Sequence, residues 1–333
     1  MTERNRKILL ASRPQGAATE QNFRIVDAPL PEPAEGEVLV KNEWLSLDPY
    51  MRGRMSDAKS YVPPAQLDEV MVGQTVGEVI RSRDATIEVG EKVLTQLGWQ
   101  SHGVAKAADV TTVDARRVPA SYYLGVLGMP GLTAWFGLFE IGRPKAGETV
   151  LVSAASGAVG SVVGQLAKIH GCRVVGIAGG ADKCRYITEI GFDAAIDYKS
   201  QDVRAQLREH CPKGIDVYFD NVGGDILEAA LARLARGARI VICGAISQYN
   251  STTGTRGPAN YMSLLVNRAS MTGMVVFDYA DRYGEAAREM AGWIAAGKLK
   301  AKEDVVPGGI EAFPDVLLRL FRGENTGKLV LAV

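Results

Sequence analysis

The chain is 333 residues long, 47% hydrophobic and 23% charged, and its 38 Lys and Arg balance 38 Asp and Glu. That length exceeds what one hydrophobic core usually organises, which argues for two domains. The even charge excludes a dominant nucleic-acid or anionic-membrane surface.

The N-terminal apolar run Ile8-Leu9-Leu10-Ala11 is too short for the core of a secretion signal, and no run reaches the ~18 residues of a membrane-spanning helix. A cytoplasmic protein is therefore expected. Up to about residue 125 the texture is strand and turn. Short β-like runs such as 37–41 and 76–80 sit between Pro- and Gly-rich connectors, among them Pro29-Leu30-Pro31-Glu32-Pro33. This predicts a β-rich domain.

The texture changes near Gly128-Met129-Pro130-Gly131. From Thr149 apolar runs at 149–152, 173–178, 194–197, 215–221, 238–242 and 271–276 alternate with candidate helices at 159–170, 182–190, 203–211, 226–234 and 260–266. Such alternation predicts an α/β unit with a doubly wound parallel sheet, and the continuous apolar strands suit a sheet covered on both faces. After Gly297 the pattern returns to strand (302–306), helix (311–322) and strand (328–333). Periodicity leaves open which domain this tail joins.

The soft metal ligands are sparse. Cys172, Cys184, Cys211 and Cys243 form no C-x-x-C pair, and His102, His170 and His210 are scattered. His170 and His210 fall at the ends of predicted helices, where a partial positive charge suits the macrodipole. Zinc needs clustered ligands, so no metal site is expected.

Ala155-Ser156-Gly157-Ala158-Val159-Gly160 joins the strand ending at Val152 to a helix with Val159, Val162, Val163, Leu166 and Ile169 on one face. Glycines at 157, 160 and 164 are a weak signal alone. In a strand–turn–helix followed by a second strand, they mark a dinucleotide turn, where small residues admit a pyrophosphate to a helix N-terminus. Ser156, Gly157, Ala158, Val159 and Gly160 are the candidate contacts. NAD sites usually end the second strand in an acid. Here Ile177-Ala178-Gly179-Gly180 carries none, and Lys183 follows. NADP is therefore the expected cofactor, with Gly179 and Lys183 at its 2′-phosphate end.

Six separated segments then agree with one family. They are residues 45–55 (Leu-Ser-Leu-Asp-Pro-Tyr-Met-Arg-Gly-Arg-Met), 124–134, the turn 154–165, Phe219-Asp220-Asn221-Val222-Gly223-Gly224, 244–250 ending Gln248-Tyr249-Asn250, and Asn325-Thr326-Gly327-Lys328-Leu329-Val330. Together they resemble the zinc-independent medium-chain dehydrogenases/reductases, in the subgroup of prostaglandin reductase (leukotriene B4 12-hydroxydehydrogenase). Residues 10–16 and Ser60-Tyr61-Val62-Pro63-Pro64 tilt the likeness toward bacterial NADPH-dependent curcumin reductase.

The resemblance implies a GroES-like substrate domain (1–127 and 297–333) around a Rossmann NADP-binding domain (128–296). It implies an NADPH-dependent oxidoreductase that reduces the carbon–carbon double bond of α,β-unsaturated ketones or aldehydes. By the same likeness Lys183 and Tyr198 hold the 2′-phosphate, while Asn221, Tyr249 and Asn325 line the nicotinamide and its ribose. Tyr249, Tyr50 and Tyr61 are the catalytic candidates, for stabilising the enolate oxygen and lining the substrate pocket; as amphipathic tyrosines, Tyr50 and Tyr61 equally suit simple packing. A quinone reductase of the same superfamily is the rival activity, and a non-catalytic NADPH-binding sensor the rival class. The apolar strand near 271–276 would form a sheet edge able to pair with a second copy, so a homodimer is expected.

Overall fold

The computed structural model describes residues 3–333. The chain divides into two compact units. One comprises the residues up to Gly125 together with Glu303–Val333, and the other Val126–Lys302.

The first unit begins with an antiparallel pair, β1 (Arg4–Leu10) and β2 (Phe23–Pro29). β3 (Glu37–Ser46), α1 (Tyr50–Arg54), β4 (Thr75–Ser82), β5 (Lys92–Thr95), β6 (His102–Lys106) and the short β7 (Thr111–Thr112) follow. β3 explains the run predicted at 37–41, because both its faces are covered. Val38 and Val40 pack with Val79 and Val93, while Leu45 joins a larger core with Met51, Met55, Trp99 and Phe313.

The second unit opens with α2 (Met129–Phe136), which runs into a π-helical turn, Gly137–Gly142. It then alternates β8 (Thr149–Ser153), α3 (Gly160–Ile169), β9 (Arg173–Ala178), α4 (Ala181–Glu189), β10 (Ala194–Asp197), α5 (Val203–His210), β11 (Ile215–Asp220), α6 (Gly224–Leu231), β12 (Leu234–Ile242), α7 (Ser263–Asn267), β13 (Ser270–Gly273) and α8 (Tyr283–Ala295). The strands form one parallel sheet in the order β10-β9-β8-β11-β12-β13. The chain winds outward from β8 through β10 and then returns to lay β11 beside β8. That reversal is the topological switch point of a doubly wound sheet, outside which ligands bind at the carboxyl ends of the strands.

Three details differ from the sequence pattern. The helix predicted over 226–234 stops at Leu231, because Leu234 pairs with Ile215 to start β12. The helix predicted from Asn260 starts at Ser263, and the Asn260 side chain instead donates to the Glu228 carbonyl. α8 lies where no helix was predicted, although Tyr283, Ala286, Ala287, Met290, Trp293 and Ile294 recur along it at helical spacing and are its buried or half-buried residues.

The tail forms β14 (Glu303–Val306), α9 (Phe313–Arg322) and β15 (Lys328–Ala332). Its strands belong to the first unit, in the order β14-β15-β3-β4-β5-β7 with β6 on β3. β15 runs antiparallel to β3, with Val330 opposite Ser46.

Candidate functional site

The glycine turn lies where β8 ends. Ala154 adopts a left-handed φ of 47°, and the chain folds back so tightly that a Cβ on Gly160 would lie 2.4 Å from the Ala154 carbonyl oxygen. No larger residue fits there without moving backbone. Ser156, Gly157, Ala158, Val159 and Gly160 are thereby gathered at the carboxyl end of β8, beside the switch point. The Ser161, Val162 and Val163 N–H groups of α3's first turn bond to the Gly157 and Val159 carbonyls, and the helix dipole together with this turn of small residues makes a site for a diphosphate.

The second cluster stands at the end of β9. A Cβ on Gly179 would lie 2.8 Å from the Tyr198 ring, so the tyrosine packs closely against this glycine. Gly180 follows at φ 98° and donates its N–H to Asp197 Oδ1 at 2.8 Å. Asp197 also accepts from the Lys199 N–H and the Ser200 hydroxyl. These bonds, led by that from Gly180, hold its carboxyl below the usual range. Asp182 pairs with Arg185. Both acids near the strand end are thus engaged within the protein, and Lys183 stands in the first turn of α4. A group bearing negative charge suits this corner.

The third cluster joins the ends of β11 and β12. Asn221 donates its side-chain N–H to the Ser153 carbonyl at 2.8 Å, and its backbone N–H to the Ser153 hydroxyl at 2.9 Å. The Tyr249 hydroxyl accepts the Ala245 N–H at 3.2 Å. A Cβ on Gly244 would lie 2.8 Å from that hydroxyl and 3.6 Å from the Asn221 carbonyl oxygen. Asn221 and Tyr249, 28 positions apart in the sequence, are therefore close neighbours.

Beneath them lies a group that sequence reasoning missed. Asp220, fully buried, accepts from the Ser153 hydroxyl (3.0 Å), the Tyr218 hydroxyl (2.7 Å) and the Val222 and Gly223 N–H groups (2.9 and 3.0 Å). Burial, then the charge of Asp220, pushes the Tyr218 hydroxyl well above its ordinary value, so it stays a donor. The only signal was an acid ending an apolar run.

The remaining candidates belong to the first unit. Tyr50 is the first residue of α1 and is half-buried. Burial, followed by the Asp48 charge, raises its pKa, so the hydroxyl is protonated at neutral pH. Tyr61 lies in the irregular segment after α1 and is 62% exposed. Asn325 is buried just before β15 and donates to the Gly327 carbonyl at 3.0 Å. Between the Tyr50 and Asn325 turns runs a buried ion pair, Lys328 Nζ to Asp48 Oδ1 at 2.7 Å. It too escaped the sequence reading.

Nucleophilic thiol chemistry finds no support. Burial pushes Cys243 up to about 12 and Cys172 and Cys211 up to about 11, so all three are protonated at neutral pH. Among the described residues no group of three or more His, Cys, Asp or Glu side chains could hold a metal ion.

Two family models match the chain. One, described as the N-terminal domain of oxidoreductase, covers residues 6–113. The other, described as zinc-binding dehydrogenase, covers residues 158–292. The NADPH-dependent curcumin reductase of Escherichia coli (strain K12) is 44% identical over 99% of this chain and 97% of its own length. The NADP(+)-dependent 2-alkenal reductase of Nicotiana tabacum is 41% identical with the same coverage. The crystal structure of CurA in complex with NADPH from Vibrio vulnificus superposes with a TM-score of 0.92 at 48% identity, covering 98% of this chain and 99% of that one.

Proposed function

From the premise that the chain belongs to the zinc-independent medium-chain dehydrogenases/reductases, near curcumin reductase, we propose that it reduces the carbon–carbon double bond of α,β-unsaturated ketones and aldehydes with NADPH. The observation that carries this reading is likeness along the whole chain to two NADPH-dependent reductases, one of curcumin and one of 2-alkenals.

The residues fit the cofactor. The tight turn at Gly160 is built of small residues, which suits close approach of a diphosphate to its backbone. At the end of β9 the acids are occupied, and Lys183, with Tyr198 over Gly179, suits a 2′-phosphate. Asn221 and Tyr249 are assigned to the nicotinamide ribose end in the second unit, and Asn325 to the nicotinamide from the first. NADPH, when bound, supplies the hydride for the β-carbon.

The protein's task is then to bind, orient and stabilise charge. Reduction of an enone builds negative charge on its carbonyl oxygen, where a hydrogen-bond donor is most effective. Tyr249 supplies a hydroxyl at the end of β12, fixed by the Ala245 N–H. Tyr50, kept protonated by its surroundings, and Tyr61 are the candidates in the first unit for holding the substrate or delivering the α-proton.

Lys183→Ala tests the cofactor assignment. One charged contact to a phosphate contributes ~1.5–3 kcal/mol, so the KM for NADPH should rise by ~10-fold or more while NADH use hardly changes. An equal effect on both cofactors would remove Lys183 from the phosphate site.

A homodimer and a cytoplasmic location belong to the same reading. β13 is one edge of the parallel sheet, and around it Met271, Leu265 and Val266 are exposed at 37%, 69% and 64%. A second copy pairing there would cover both the unpaired strand edge and this apolar surface. Four free cysteines suit a reducing compartment.

A further inference from the structure

Lys328 is a residue whose burial needs a reason. Only 4% of its side chain is exposed, and its ammonium donates to the Leu47 carbonyl at 2.9 Å and to Asp48 Oδ1 at 2.7 Å. The Ser46 hydroxyl bonds the second oxygen of Asp48. The lysine stem packs on Gly125, where a Cβ would lie 3.2 Å from Lys328 Cγ. Desolvation opposes the lysine charge, with Asp48 and, more weakly, Glu303 sustaining it.

Such a pair contributes little net stability, because desolvation offsets most of the attraction. Strand pairing is already secured without it. β15 and β3 are laddered by their backbones, and the Leu47 N–H reaches the Leu329 carbonyl at 3.3 Å. What the pair adds is direction, through short charged bonds at a fixed angle. Its two ends are informative. Asp48 stands two residues before Tyr50, and the Asp48 carbonyl accepts the Met51 N–H that starts α1. Lys328 stands three residues after Asn325, whose side chain caps the Gly327 carbonyl.

We propose that Lys328 is a positioning residue for the reduction, setting through Asp48 and the Leu47 carbonyl the spacing between the turn that carries Tyr50 and the turn that carries Asn325. The proposal rests on the assignment of those two residues to substrate and nicotinamide given above. It adds a requirement of its own, that their mutual placement depends on this ammonium.

The test is the double variant Asp48→Asn with Lys328→Met, which removes both charges and leaves neither unpaired. It should melt close to the parent and bind NADPH with full stoichiometry, and with a dissociation constant changed less than ~3-fold. Its kcat/KM for a small enone should nevertheless fall by ~10-fold or more, carried mainly by kcat, since small misplacements of reacting groups are costly. A folded double variant with kcat/KM within ~2-fold of the parent overturns the proposal.

Should the double variant fail to fold, Lys328→Arg serves. It keeps the charge but places a bulkier fork, and a folded protein with a several-fold lower kcat is expected. Parental kcat there overturns the proposal as well. Tyr50→Phe and Asn325→Ala, assayed alongside, separate the two levels. If they lower kcat/KM and the charge variants do not, the positioning role fails alone. If they too are silent, the assignment of Tyr50 and Asn325 fails and takes the positioning role with it.

Discussion

Each unit buries a carboxylate at the end of a strand, just ahead of a candidate site residue, but the two are stabilised differently. Asp220 precedes Asn221 and is surrounded by neutral donors, two hydroxyls and two backbone N–H groups. Asp48 precedes Tyr50 by two and faces a full counter-charge on Lys328. The difference follows from the local chain. After Asp220 the backbone turns through Val222 and Gly223 into α6, so N–H groups and a helix N-terminus converge on the carboxylate. After Asp48 comes Pro49, which has no N–H to offer. A buried charge must be met by one means or the other. Where the fold supplies oriented dipoles it needs no lysine.

Removing a partner from each carboxylate should have unequal effects. Lys328→Met alone leaves Asp48 buried and uncompensated and should cost about 3–5 kcal/mol in denaturant unfolding. Asp220→Asn keeps the shape and one acceptor and should cost about 2–3 kcal/mol, with two hydroxyls able to reorient. An Asp220→Asn variant as damaged as Lys328→Met would mean that neutral donors and a counter-charge are equivalent here. Gly160→Ala is smaller in stability, about 1–3 kcal/mol, because the new Cβ meets the Ala154 carbonyl. It should instead act on the cofactor, weakening NADPH in a fluorescence titration; unchanged affinity would detach this turn from the diphosphate.

The smallest effect concerns pH in the first unit. Burial holds the His102 pKa below its ordinary value near 6.5, against the opposing pull of Glu3. The unfolded chain therefore takes up this proton before the folded one, so stability is complete above about pH 6.5 and declines as pH falls below it. Melting curves from pH 7.5 to 5 should show the decline, and His102→Asn should flatten it. An unaltered slope would assign the acid sensitivity elsewhere.

The doubly wound unit was largely legible in the sequence because its central strands are apolar runs and its turns carry glycine; the edge strand β13, Ser270–Gly273, is exposed throughout and only overlaps the run predicted at 271–276. Strands β9 and β10 occupy the residues the pattern predicts, 173–178 and 194–197. The turn at Gly160 and the acid-free end at Gly179 could be read from local spacing, since their meaning is set within a few residues. What stayed hidden was long-range. Ser153 meets Asp220 across 67 positions and Asp48 meets Lys328 across 280, and no local pattern encodes such pairs. α8 is the exception, because its stripe of Tyr283, Ala286, Ala287, Met290, Trp293 and Ile294 is local and was legible, but no helix was predicted there.

Double-bond reduction has a direct chemical signature. The purified protein is incubated with NADPH and a small enone, and the product is identified by NMR. Stoichiometric NADPH oxidation is expected, with loss of the vinyl protons and retention of the carbonyl carbon. An allylic alcohol of the same mass, or NADPH left unoxidised across a panel of enones and enals, would contradict it.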